Sequence, residues 1–184
     1  MAETAIARDL RREDLPMVLG WRNAPSIRAV MFNRREILPE EHAAWFERMS
    51  GDEKHRLLII EDSGGPLGFV QFSEARAGAV SNWGFYARPD APRGAGGRIG
   101  LAALDFAFRH LRLHKVCGEA LAFNEASIRF HERLGFTREG LLRRQHQEGT
   151  AYHDVLHFGL LQGEWEAART AVLSLARDHE ERNG

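Results

Sequence analysis

A single cysteine, Cys117, in 184 residues excludes an internal disulfide and any zinc site built from several thiolates. Charge of one sign is also scarce, since the formal net charge is -1 with 28% charged residues, so no basic excess calls for nucleic acid or an anionic membrane. No segment approaches the roughly 20 apolar residues of a membrane span. The opening "MAETAIARDLRRED" has no apolar core of the signal-peptide kind, and a cytoplasmic protein is expected. Internal repeats, low-complexity linkers and clusters of hard oxygen ligands are lacking too, so one domain over 1–184 and no metal are expected. What the chain does have is 43% hydrophobic residues, enough for one good core.

Periodicity divides the chain into recognisable pieces. "TAIARDL" reads as a strand, and "REDLPMVLGWRN", "PSIRAVMF" and "PEEHAAWFERM" read as helices, the last with Pro39 at its first turn, acidic residues behind it and Arg48 near its end. "RLLIIED", "PLGFVQFSEA" and "AVSNWGFYA" form an antiparallel meander with the turn "SGGP" after its first strand. A long helix "RIGLAALDFAFRHL", a buried strand "HKVCGEALAF" with Cys117 as a structural thiol, and a short helix "NEASIRFHERL" follow. "REGLLRRQHQEGTAYHDVLHFGLL" supplies two more strands with a turn near Gly149, and "GEWEAARTAVLSLARDHEER" a closing helix. This order predicts a mixed α/β sheet.

Two short stretches carry chemistry. In "RGAGGRIGLAALDFAF", Gly94, Gly96, Gly97 and Gly100 stand between a strand and a helix, where unobstructed amides at the positive end of the helix dipole suit an anion. The stretch fits neither the dinucleotide G-x-G-x-x-G pattern, which would need glycine at Ile99, nor a Walker loop, which needs G-K-[ST]; a pyrophosphate cradle of another type and a purely structural turn both stay open. In "NEASIRFHERLGF", Asn124, Ser127 and His131 fall on one strip between the apolar arc of Ala126, Phe130 and Leu134 and a charged outer face. Asn124 is also a good N-cap and Gly135 a good helix end, so capping plus a boundary histidine is the plain alternative.

The pairing of these stretches, one buried strand apart, resembles the GNAT superfamily of acetyl-CoA-dependent N-acetyltransferases. The resemblance implies an α/β fold with a mixed, mostly antiparallel central sheet flanked by helices, and a splayed strand pair that admits acetyl-CoA. Under it, Arg93, Gly94, Ala95, Gly96, Gly97 and Arg98 correspond to the R-G-x-G-x-G turn that holds the coenzyme pyrophosphate, with Arg98 where glycine or alanine is usual and its guanidinium able to add a phosphate contact. Asn124, Ser127, Gly135 and Phe136 match N-x-x-[AS]-x-x-x-Y-x-x-x-G-F, with His131 at the tyrosine position. The stretches "WRN", "EHAAWF", "WGFYARP", "YHDVLHFGLL" and "GEW" further resemble the branch that acetylates UDP-linked 4-amino sugars in pseudaminic acid synthesis for flagellin glycosylation.

What the resemblance implies for each residue can be stated. Backbone at Phe85 and Tyr86 pairs with pantetheine, Asn124 binds the same arm and Ser127 sits beside it. His131 protonates the departing sulfur if charged or relays a proton from the amine if neutral. Glu74 and Asn82, near the ends of the middle strands, are candidates to position the amine's departing proton through water, with a structural role as the stronger alternative for each. Arg22, Arg28, His42 and Trp83 serve the nucleotide end of the acceptor, the arginines for phosphate and Trp83 for stacking, although Trp83 suits the core equally well. The chain then divides into a helical acceptor-side segment at about 10–50, an acetyl-CoA core at about 55–136, and C-terminal strands and helix at about 137–182. A homodimer is allowed. Other acceptors are a protein N-terminus of the ribosomal type or a small amine; a non-catalytic acetyl-CoA-binding module is the third reading, kept open by His131.

Overall fold

The computed structural model describes residues 5–181. Residue 4 of the expected first strand and residue 182 of the expected last helix lie outside this range.

Seven strands form one sheet in the order β1-β2-β3-β4-β5-β7-β6: β1 (Ile6–Asp9), β2 (Arg56–Asp62), β3 (Gly65–Ser73), β4 (Val80–Ala87), β5 (Lys115–Leu121), β6 (Thr137–Glu148) and β7 (Ala151–Leu161). Every neighbouring pair is antiparallel except β4 with β5. This is the mixed sheet that the order of elements predicts, mostly antiparallel as the resemblance implies. "RLLIIED" reads as a continuous apolar run because Leu57 and Ile59 face one layer of helices and Leu58 and Ile60 the other.

On the first face, α1 (Leu15–Asn23) and α3 (Pro39–Ser50) bury Leu15, Val18 and Phe46 against Leu57, Ile59 and Phe69. On the second, α4 (Ala95–Asp105) and α6 (Gln162–Glu181) bury Ile99, Leu104, Trp165 and Val172 against Val70, Phe72 and Val116. Asp105 ties these two helices together by accepting from Trp165 Nε1 at 3.1 Å and from Arg169 at 2.7 Å. A short α5 (Glu125–Arg133) follows β5 and sends Ile128 into the same core.

Two boundaries differ from the periodicity. The "PSIRAVMF" piece is helical only as α2 (Pro25–Arg28), and residues 29–38 leave it as a loop held by side chains of the preceding helices. Helix α4 starts at Ala95 rather than Arg98, so Gly96 and Gly97 form part of its first turn. Glycine's poor helix propensity hides that start, because tertiary packing decides it.

Candidate active site

The sheet opens at its one parallel pairing. Partners between β4 and β5 run only from Val80–Lys115 to Asn82–Cys117. Beyond that point β4 stays with β3 as far as Ala87, and β5 stays with β7 as far as Leu121. The facing edges of Trp83–Ala87 and Gly118–Leu121 therefore diverge, leaving backbone polar groups in need of other partners. A cleft of about 600 Å³ fills the opening, lined by both strand segments and closed by Gly96 and Ile99 of α4, Asn124, Ser127 and Phe130 of the α5 region, and Ile27, Val30, Met31 and Phe32.

One end of the cleft meets the glycine turn. Gly94 is the N-cap of α4 at φ 82°, a left-handed conformation that glycine adopts without a Cβ penalty. The first-turn amides that follow have no partner within the helix, and the dipole makes them a positive end. Arg93 precedes the turn, exposed. Arg98 is not available as an additional phosphate ligand: its guanidinium pairs with the buried Asp62 carboxylate at 2.5 Å, which pins the first turn of α4 to the end of β2.

The strip on α5 is divided between cleft and core. Asn124 Oδ1 accepts from the Ser127 amide at 3.1 Å, as a capping residue does, and both residues line the cleft. His131 does not. It is fully buried, its Nδ1 donates to the Ser127 carbonyl at 2.8 Å, its Nε2 accepts from Trp83 Nε1 at 3.1 Å, and its ring stacks on Phe158. Burial lowers its pKa to about 4, partly opposed by the Ser127 hydrogen bond, so the ring is neutral near pH 7 with both nitrogens engaged. The expected proton donor to sulfur is thus a core histidine in this geometry, with its two ring nitrogens engaged by the Ser127 carbonyl and Trp83 Nε1. Trp83 takes up both expectations, lining the cleft while packing in the core.

A pH dependence follows. An unfolded histidine titrates near 6.5, so between about pH 6.5 and 4 the unfolded chain binds a proton that folded His131 refuses. Stability is full above the unfolded value and falls on acidification, by up to about 3 kcal/mol from His131 at about 1.4 kcal/mol per pKa unit. Burial and the nearby Arg22 lower His42 as well, which adds in the same direction. Urea titrations at pH 7 and pH 5 should show the loss, and His131→Gln should flatten it.

Other expected residues fall away from the cleft. Arg22 is buried, donates to the Asn33 carbonyl at 2.5 Å, and has its pKa depressed, first by desolvation. Arg28 Nε donates to the Arg34 carbonyl at 2.9 Å. Together with Asn23, which exchanges two hydrogen bonds with Ile37, they clasp the 29–38 loop, and Arg22 Nη1 is left buried without a hydrogen-bond partner. His42 is buried and stacked on Trp45. Glu74 sits at the β3–β4 turn, paired with Arg76 at 2.8 Å, outside the cleft wall. Phe85, Tyr86 and Asn82 do line it. The Tyr86 hydroxyl is held protonated well above its ordinary range by burial.

Two lining residues carry no motif. Glu119 is the only formally charged side chain among the described residues that line the cleft, and its Oε1 lies 3.1 Å from His157 Nε2 on the paired strand. Its signal in the sequence is a lone carboxylate inside the apolar run "KVCGEALAF". Phe32, at the start of the clasped loop, gives no such signal. Cys117 is half-buried on the same wall rather than sealed in the core, and burial raises its pKa, so the thiol is un-ionised. No group of three or more metal-ligating side chains occurs among the described residues.

The sequence profile of the GNAT acetyltransferase domain matches residues 5–137, well over half of the chain. An uncharacterised SPbeta prophage-derived N-acetyltransferase of Bacillus subtilis, YokL, is 31% identical over 125 residues, spanning 66% of this chain and 70% of its own. The acetyltransferase PseH of Campylobacter jejuni is 20% identical over 129 residues, 70% of this chain and 80% of its own. Among solved structures, a spermidine N-acetyltransferase from Vibrio cholerae in complex with CoA and spermine superimposes with a TM-score of 0.81 at 23% identity, covering 89% of this chain and 98% of its own.

Proposed function

The chain belongs to the GNAT acetyltransferase family and is an acetyl-CoA-dependent N-acetyltransferase, and from that premise we propose that its acceptor is a small primary amine. The observation that carries this reading is the cleft's charge: among the described lining residues Glu119 alone is formally charged, and it is an anion. An ammonium is drawn to such a site and a diphosphate is repelled by it. Arg22 and Arg28, which a UDP-sugar would need, each donate to a backbone carbonyl of the 29–38 loop, and neither lines the cleft. The Vibrio cholerae neighbour's complex with spermine is compatible with an amine acceptor.

The competing reading is a UDP-linked 4-amino sugar, favoured by the similarity to PseH. Flagellin glycosylation and pseudaminic acid synthesis belong to that reading. Cytoplasmic location is part of the proposal in either case; no helix among the described residues is long and apolar enough to cross a membrane. So is self-association, which a dodecameric spermidine N-acetyltransferase of the same fold illustrates.

In the proposed reaction the thioester lies along the open edge of β4, whose unpaired amides can hold the carbonyl oxygen as it gains charge. Asn124 and Ser127 steady the pantetheine arm. The ammonium gives one proton to the Glu119 carboxylate, which later returns it to solvent; the nitrogen lone pair then forms the C–N bond as the C–S bond breaks, and the nitrogen loses its second proton to water as the neutral amide forms. The coenzyme thiolate leaves, to be protonated from solvent. His157 holds Glu119 in place.

The test is thiol release from acetyl-CoA over a panel of primary amines, a UDP-4-amino sugar and a peptide N-terminus, with products identified by mass. Small amines should be the best acceptors. Turnover confined to the sugar nucleotide or the peptide would overturn the reading.

A further inference from the structure

The acceptor side of the cleft continues into a second cavity of about 290 Å³ between the 29–38 loop and the β6–β7 hairpin. Phe32 and Glu119 line both spaces, so they mark the passage between them. Beyond the passage the walls are Leu142 and Val155, with Gln145, His146 and His157 as the polar faces. Phe32 meets the His146 ring edge-on at 5.2 Å between centroids. We propose that this second cavity holds the body of the acceptor, and that it selects a monoamine with a short apolar or aromatic tail over a polyamine. The inference rests on the amine reading.

The selection follows from where the charges are. An amine entering past Phe32 meets Glu119 with its ammonium, which places the nitrogen at the cleft and leaves the tail among Phe32, Leu142 and Val155. A polyamine would bring a second ammonium into that tail space. Two carboxylates of the hairpin are already engaged: Glu148 is paired with Arg34 and lies 3.2 Å from His153 Nε2, and Asp154 accepts from the Arg144 amide at 2.7 Å. A second cation would find no carboxylate among the lining residues of this cavity other than the Glu119 already engaged by the first. An apolar tail needs no such partner and gains contact with the Phe32 ring. Aromatic edges from His146 and Phe32 favour a ring at the end of the tail.

Steady-state kinetics on the full chain decide the matter, with 2-phenylethylamine, spermidine and ethylamine as acceptors for the wild type and Phe32→Ala. The wild type should prefer 2-phenylethylamine to spermidine in kcat/KM by at least ~10-fold, and Phe32→Ala should raise the 2-phenylethylamine KM by ~10-fold, the scale of one lost aromatic contact with its buried area. Its penalty for ethylamine, which has no ring to lose, should be several-fold smaller, and Phe32→Tyr should restore most of the 2-phenylethylamine KM. A spermidine kcat/KM equal to or above that of 2-phenylethylamine, or equal Phe32→Ala penalties for the two monoamines, overturns the tail-pocket assignment while leaving the amine reading intact. Failure of all three amines with turnover of a UDP-amino sugar overturns both.

Discussion

Glu119→Gln should lower kcat for a small primary amine by about 10²–10⁴-fold, the usual contribution of a positioned proton acceptor, while the KM for acetyl-CoA stays near its wild-type value. The substitution keeps the size and hydrogen-bonding reach of the side chain and removes only its charge. It acts on the cleft's one formally charged group among the described lining residues. Two signatures separate proton acceptance from a merely structural role. The deficit should shrink as pH rises towards the amine's own pKa, where the acceptor arrives already neutral. His157→Gln, which removes the neighbour 3.1 Å away but leaves the carboxylate, should cost less. A Glu119→Gln enzyme with wild-type kcat at pH 7, chemistry being rate-limiting, would remove Glu119 from the reaction.

Gly118→Ala should be the most damaging methyl group in the molecule. A Cβ there would lie 2.3 Å from His131 Nε2 and 2.8 Å from Trp83 Nε1, so it would fall on the hydrogen bond that joins them. Neither ring can withdraw easily. His131 is stacked on Phe158, and Trp83 is packed between Phe72 and Phe136. Overpacking costs about 1–3 kcal/mol, and an orphaned buried donor and acceptor add about 1–3 kcal/mol. A chain of this length should lose roughly 10 °C in Tm at about 2–4 °C per kcal/mol. Gly163→Ala, with nothing within 4 Å of the added carbon, is the matching control and should change little. A thermal shift for Gly118→Ala no larger than that of the control would contradict the close packing beneath the cleft wall.

Much of this architecture was legible in the sequence because period and punctuation agreed. The meander of β2, β3 and β4, the glycine turn before α4 and the capped helix after β5 all announce themselves through local chemistry. Asn124 and Ser127 were legible for the same reason, since one helix turn sets both their spacing and their exposure to the cleft. His131 illustrates the limit. Helical spacing puts it in line with Ser127, yet whether a side chain at that position reaches a cleft or a core depends on its length and on Trp83, which lies 48 residues away in the chain. Arg22 and Arg28 show a second limit. A guanidinium before a loop suits phosphate and backbone carbonyls alike, and only the path of residues 29–38 decides between them. Glu119 was hidden because a single carboxylate in a strand has no motif. It gains meaning from the divergence of β4 and β5, which is a property of the sheet.

The central claim is that acetyl-CoA occupies the opening between β4 and β5, with its pyrophosphate at the start of α4. Amide hydrogen exchange with and without saturating acetyl-CoA tests it most directly, because β4 has a strand edge facing the cleft beyond its pairing with β5, and in the first turn of α4 the Gly96 and Gly97 amides precede the first helical bond, while Ala95 and Arg98 donate to the Pro92 and Gly94 carbonyls. Protection should appear in residues 83–87 and 94–98 and stay absent from residues 141–148 on the outer strand β6. Protection that leaves 83–87 and 94–98 unchanged, or that concentrates on β6, would contradict the account.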